Sequence, residues 1–319
     1  MNITEEIYKI GIVPVIKIND VEKAIPLAKA LIDGGLPIAE ITFRTEAAEE
    51  AIKRVSEAYP EMLVGAGTVL TIEQAQRAKN AGAKFIVSPG FNPKVVKWCL
   101  ENDIVPTPGC TTPTEIEQAL ELGLNIVKFF PAEQSGGIDK IKALCAPYGQ
   151  IKFIPTGGIN LDNLNDYISF KKIVACGGSF MVKEDYINEG QWDKITDLTK
   201  KSVDKMLNMS IAHIGINSEN ADQASACADA FNTIMGTDIT KDGEKSIFAG
   251  TLFELMKFKG VGDHGHIAIK TSNVDRAVYH LEKRGIEFDY STATYNSDGS
   301  MKFIYLKDLI GGFGVHLVC

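Results

Sequence analysis

IVPVIKINDVEKAIPLAKALIDGGLPIAEITF, residues 12–43, states the architecture in miniature. A β-branched run, IVPVIKI (12–18), predicts a strand. VEKAIPLAKALIDGG (21–35) carries an apolar stripe at helical spacing and ends on glycine, as helices do. PIAEITF (37–43) is a second strand. The same alternation continues through MLVGAG (62–67), KFIVSPG (84–90), DIVPTPG (103–109), NIVKFFP (125–131), IKFIPTG (151–157) and KIVACGG (172–178). Eight strand–helix units in one domain predict a closed (β/α)8 barrel, an α/β fold, in preference to an open doubly wound sheet. No early strand–helix turn carries the GxGxxG of a dinucleotide-binding sheet. QWDKITDLTKKSVDKML (191–207) reads as a last helix, so the barrel is expected over residues 1–208 and a smaller α+β domain over 209–319.

Composition narrows the function. The net charge is −8 and no basic block interrupts it, which argues against nucleic acid or an anionic membrane as partner. The six cysteines form no CxxC pair, which fits a reduced cytoplasmic protein better than a disulfide scaffold or a thiolate metal site. The first residues are polar, so no signal peptide is expected, and no apolar run reaches the ~18 residues of a membrane helix. All five histidines follow residue 209. Acid–base chemistry in the barrel must therefore use carboxylate, lysine, tyrosine, cysteine or water.

NIVKFFPAE (125–133) places a lysine in an apolar run, where lysine is rare without a partner. Strand side chains in a barrel alternate between the interior and the helix layer. Val127 and Phe129 share one side, and Lys128 takes the other. In PIAEITFRT, Ala39, Ile41 and Phe43 suit the helix layer, while Glu40, Thr42 and Arg44 face the opposite way. Glu40 and Lys128 are thus expected to point into one interior, with Arg44 near the carboxyl end of its strand, where barrel enzymes keep their sites. A structural ion pair is the alternative reading, but buried pairs are a poor source of stability. A desolvated amine loses its proton more readily, and the neutral amine attacks ketones to form a Schiff base. An adjacent carboxylate can carry the protons that this requires. The glycine pairs in PTGGI (155–159) and CGGSF (176–180) follow the seventh and eighth strands, the frequent phosphate location in barrels.

The last 110 residues contain a repeat. HIGINSENADQA begins at His213 and HIAIKTSNVDRA at His266, an offset of 53 that pairs Asn220 with Asn273, Asp222 with Asp275 and Ala224 with Ala277. FELM (253–256) and VHLV (315–318) end the two copies at an offset of 62. The nine extra residues of the second copy are expected in a loop around YNSDGS. Two βαβββ-like units would pair into one concave site, with His213 equivalent to His266 and Glu254 equivalent to His316.

EITFRT, GAGTVL, SPG, VKFFPAE, PTGGI and CGGS, in this order and spacing, resemble the KDPG/KHG aldolases over residues 5–205. These are class I lyases that cleave 2-keto-3-deoxy-6-phosphogluconate (KDPG) and, in some members, 4-hydroxy-2-oxoglutarate (KHG), releasing pyruvate without a metal or other cofactor. The resemblance implies a (β/α)8 barrel, usually a homotrimer, acting on small-molecule keto-acid phosphosugars. It implies Lys128 as the Schiff-base residue and Glu40 as the general acid/base. It assigns Arg44 and Thr68 to the pyruvate carboxylate and the reacting carbons, and Pro89 and Phe130 to the pocket wall. Thr156, Gly157, Gly158, Gly178 and Ser179 would receive the phosphate, with Lys17 as a further candidate there. Aldolases for 2-keto-3-deoxy-6-phosphogalactonate share most of these motifs and stay open as an alternative. So do a phosphosugar epimerase, which would not need Lys128 opposite Glu40, and a non-catalytic phosphosugar-binding barrel with a metal-binding tail.

The repeat resembles the vicinal-oxygen-chelate superfamily, which includes glyoxalase I. That likeness implies metal ligands at His213, Glu254, His266 and His316, a set suited to Zn²⁺, Ni²⁺, Fe²⁺ or Mn²⁺. His316 stands where a carboxylate is commoner. In such proteins halves from different subunits often pair, so the four groups need not meet within one chain. A metal-free binding or assembly module is the alternative.

Overall fold

Strands form where the β-branched runs fall: β1 (Ile12–Ile16), β2 (Ile38–Thr42), β3 (Leu63–Gly67), β4 (Phe85–Val87), β5 (Val105–Thr107), β6 (Ile126–Phe129), β7 (Lys152–Pro155) and β8 (Cys176–Gly178). The structure is a computed structural model and describes residues 2–319. The chain divides into two compact units between Met206 and Leu207. The carbonyl of Leu207 accepts from Ser272 N and Thr271 Oγ1, which ties this residue to the second unit although it ends the helix Trp192–Leu207.

In the first unit all strand pairs are parallel, in the order β5-β4-β3-β2-β1-β8, with β6 beside β7. Bridges at Gly109–Lys128, Phe153–Ile173 and Thr156–Gly177 join the two sets, so the sheet closes into a (β/α)8 barrel. Lys128 lies on one of these seams. Its N–H donates to Pro108 O at 2.9 Å and its carbonyl accepts from Cys110 N at 2.8 Å, so both main-chain groups of the residue carrying the amine are held by the segment after β5.

Alternation along the strands sorts the side chains. Val127 and Phe129 are fully buried under the helices, and Phe129 meets Phe153 edge-on at 6.2 Å. Side chains cap the helix starts: Thr71 caps Ile72–Asn80, Asn92 caps Pro93–Glu101, and Thr112 with Glu115 forms a capping box on Pro113–Glu121. The six cysteines are free thiols, and among the described residues no helix is long and apolar enough to cross a membrane.

The second unit has β9 (Ser210–Ile216), β10 (Ile239–Asp242), β11 (Ser246–Ala249), β12 (Phe253–Met256), β13 (Gly265–Lys270), β14 (Phe288–Tyr295), β15 (Met301–Leu306) and β16 (Phe313–Val318). They form one sheet, β10-β11-β12-β9-β13-β16-β15-β14, with the two first strands of the repeat antiparallel at its centre. The repeated asparagines are helix caps: Asn220 accepts from Gln223 N and Asn273 from Arg276 N. The repeated alanines, Ala224 and Ala277, are fully buried. The expected insertion differs in form. Around the turn at 296–300, β14 and β15 run 8 and 6 residues against 4 and 4 for β10 and β11, so the extra residues lengthen a hairpin.

Inside the barrel, β3 presents Gly65 inward. A β-carbon there would lie 2.3 Å from the Phe85 ring, which is itself 2% exposed and cannot retreat. We expect Gly65→Ala to destabilise the barrel by about 1–3 kcal/mol through overpacking, measured by urea unfolding of the full chain.

Candidate active site and candidate metal centre

At the carboxyl end of the barrel strands a cavity opens to solvent. Its wall includes Glu40, Arg44, Thr68, Pro89, Lys128, Phe130, Thr156, Gly157, Gly158, Gly178 and Ser179. Every barrel position singled out in the sequence except Lys17 thus lines one cavity. The wall also contains Val15, Thr42 and Ile159, which the sequence reading did not assign. Thr42 could have been found, because it shares the inward face of β2 with Glu40.

At the base of the cavity Lys128 Nζ lies 3.2 Å from Glu40 Oε1, with both side chains almost fully buried. The amine also lies 5.3 Å from the centre of the Phe130 ring. Nearer the mouth, Thr42 Oγ1 donates to Ile16 O and accepts from Arg44 Nε at 3.0 Å, which fixes the guanidinium at the end of β2. Thr68 follows β3 with φ +57°, a left-handed conformation that is costly for a β-branched residue and typical of sites held by their surroundings.

The opposite wall is the turn after β7. Gly157 and Gly158 take φ +102° and +82°, and Thr156 Oγ1 is buried without a hydrogen-bond partner. A β-carbon on Gly177 would sit 2.2 Å from that hydroxyl, so β8 leaves room for it. Main-chain bonds from Ala132 N to Thr156 O and from Glu133 N to Gly157 O tie this turn to the chain just after Lys128. Lys17 is absent from this wall. Its ammonium is bonded instead to both oxygens of Glu184, at 2.8 and 3.1 Å.

In the second unit His213, His266 and His316 offer donor atoms within 4.8 Å of one another. Glu254 completes the group. Its Oε2 is 3.1 Å from His213 Nε2 and 3.0 Å from His266 Nε2, and the two nitrogens are 3.2 Å apart. All four groups therefore meet within one chain, with no second subunit required. Gly215 makes this convergence possible, because a β-carbon there would fall 2.1–2.4 Å from the His266 ring. Burial opposes ionisation of Glu254, but hydrogen bonds from His213, His266 and Ser246 outweigh it and hold the carboxyl well below the usual carboxylate range. Burial, then the neighbouring His266 and His213, pulls His316 down to about 3.

The group fits a metal ion on two grounds. Each ring nitrogen carries at most one proton. With Glu254 ionised, if both donate to it their N–H groups crowd each other, and if only one does, a lone pair faces the carboxylate. Three ligands bonded to one ion at about 2.0–2.1 Å lie about 2.8–3.4 Å apart, the separation seen here. In addition, His316 Nδ1 is buried without a partner. Phe248, Phe303 and Tyr305 surround the imidazoles edge-on or tilted.

This barrel, with a lysine and a carboxylate paired at its base, is that of a Schiff-base lyase. Residues 3–198 match the aldolase family described as KDPG and KHG aldolase, and the chain belongs to that family. It is 47% identical over 203 residues to the 2-dehydro-3-deoxy-phosphogluconate aldolase of Treponema pallidum, covering 64% of this chain and 97% of that protein. The KHG/KDPG aldolase of Escherichia coli K12 is 41% identical, over 60% of this chain and 91% of its own length. Among solved structures, the KDPG aldolase of Legionella pneumophila, with pyruvate captured at low pH as a covalent carbinolamine, is 37% identical. It superposes with a TM-score of 0.60 over 62% of this chain and 96% of its own.

Proposed function

We propose that the barrel cleaves 2-keto-3-deoxy-6-phosphogluconate to pyruvate and glyceraldehyde 3-phosphate through an imine on Lys128. The observation that carries this reading is the amine 3.2 Å from a buried carboxylate at the base of an open cavity, in a member of this family. The amine of Lys128 adds to the C2 ketone, and loss of water leaves a protonated imine. Glu40 accepts the C4 hydroxyl proton as the C3–C4 bond breaks, and the bonding electrons move into the imine to form an enamine. Glyceraldehyde 3-phosphate departs, C3 is reprotonated, and water releases pyruvate and the amine. Arg44 and Thr68 hold the pyruvate carboxylate, Pro89 and Phe130 wall the pocket, and the turns at Thr156–Gly158 and Gly178–Ser179 hold the phosphate. The enzyme is read as cytoplasmic and trimeric through its barrel.

Borohydride reduction in the presence of pyruvate is expected to add one stable pyruvyl mass at Lys128, read by peptide mass spectrometry. Lys128→Ala and Lys128→Arg are expected to lose the adduct and to lower turnover by roughly 10³-fold or more, in a retro-aldol assay coupled to lactate dehydrogenase. No adduct on the native enzyme would sink this reading. A panel of 2-keto-3-deoxy acids with and without the 6-phosphate, together with 4-hydroxy-2-oxoglutarate, sorts the gluconate from the galactonate substrate.

The second unit is read as a glyoxalase-like module that binds one divalent metal, with His213, Glu254, His266 and His316 as its ligands. A metal there would supply a Lewis acid. The support is the donor triangle, three ligand-type atoms 3.0–3.2 Å apart. Protein purified without a histidine tag should carry about one zinc, nickel, iron or manganese per chain by elemental analysis. It should gain thermal stability when the stripped protein is reloaded. Gly215→Ala, which drives a methyl into the His266 ring, should abolish stoichiometric uptake. Metal-free protein that gains no stability from any of the four ions would favour a binding or assembly module.

A further inference from the structure

We propose that Gly67 positions the Glu40 carboxylate against Lys128, so that the missing side chain of β3 is part of the catalytic geometry. The inference rests on the reading of Lys128 as the imine-forming amine and Glu40 as its proton carrier. In the parallel register of β2 and β3, Glu40 pairs with Gly65 and Thr42 with Gly67. Both glycines therefore stand on the inward face, where a barrel normally places bulky side chains. Two neighbours occupy the space. The Phe85 ring fills the lower gap at Gly65, and the Glu40 side chain leans into the upper gap at Gly67.

The fit at Gly67 is close and specific in its atoms. A β-carbon there would lie 2.3 Å from Glu40 Oε1, 2.7 Å from its Cγ and 2.9 Å from its Cδ. Oε1 is also the oxygen that stands 3.2 Å from Lys128 Nζ. An alanine methyl and the hydrogen bond to the amine therefore claim the same volume.

The two glycines differ in what must yield. At Gly65 a buried aromatic ring has nowhere to go. At Gly67 the obstacle is the end of a flexible arm, and the cavity beyond it is open. Gly67 has ordinary strand backbone, so alanine strains nothing locally. To regain ordinary contact at 3.4 Å, Oε1 must withdraw by about 1 Å, a displacement that can cost on the order of 10²-fold in rate.

The test is a double-variant cycle in the full chain. Gly67→Ala is expected to keep the melting temperature within a few degrees and to keep the borohydride adduct of pyruvate on Lys128. It should lower kcat for aldol cleavage, and the exchange of pyruvate methyl protons with deuterated water, by roughly 10²-fold. Glu40→Ala should lower both rates at least as far. The double variant should be no slower than Glu40→Ala within about twofold, because the methyl acts only through that carboxylate. Should Gly67→Ala unfold, Glu40→Ala removes the three atoms nearest the added methyl and must restore folding in the double variant. Wild-type rates in Gly67→Ala, additive losses in the double variant, or failure of that rescue would each overturn the proposal. The parent reading is tested separately, by the adduct on the native enzyme and by the loss of exchange in Glu40→Ala.

Discussion

An ammonium and a carboxylate taken out of water cost more than their attraction returns unless their surroundings are arranged for them. The barrel is arranged around that constraint. Lys128 Nζ and Glu40 Oε1 are 3.2 Å apart, on strands β6 and β2. Each is held by backbone that cannot shift alone: Lys128 is bonded across the β5–β6 seam through both its N–H and its carbonyl, and Glu40 lies in a strand whose five residues are all buried. The pair thus sits at the base of a cavity that opens above it. A pair buried to no purpose would be a liability. A pair at the base of a pocket is a reagent kept ready.

Absence of side chains does much of the remaining positioning. Gly67 makes room for the Glu40 carboxylate, Gly177 for the Thr156 hydroxyl, and Gly215 for the His266 ring. In each case a glycine on a neighbouring strand supplies the volume into which a polar group leans. This is a different use of glycine from the positive-φ turn at Gly157 and Gly158. There the missing β-carbon permits a backbone conformation, while in the strands it permits a side chain of another residue to be where it is. A closed sheet suits this device, because its interior is filled by side chains from all strands and a gap in one is taken up by the next.

The second unit applies related physics to a different end. Two βαβββ copies meet through antiparallel central strands, which brings His213 of one copy beside His266 of the other. Glu254, on β12, reaches both. The cluster holds a carboxylate ionised by the donors around it and an imidazole kept neutral by burial and by its neighbours.

The eight strands and the repeat were legible in the sequence because they follow from local periodicity. The facing of Lys128 and Glu40 was legible for the same reason: alternation in a strand has a period of two and needs no partner to be counted. The closeness of the pair depended on register, and register belongs to two strands at once. Only the folded barrel decided that Glu40 Oε1 would occupy the place of a Gly67 side chain, that Thr68 would be held at positive φ, and that Lys17 would be taken by Glu184. Likewise, four metal-type ligands could be marked by their repeat positions. Whether they would meet in one chain was decided by the pairing of β9 with β13, through contacts between residues some fifty positions apart.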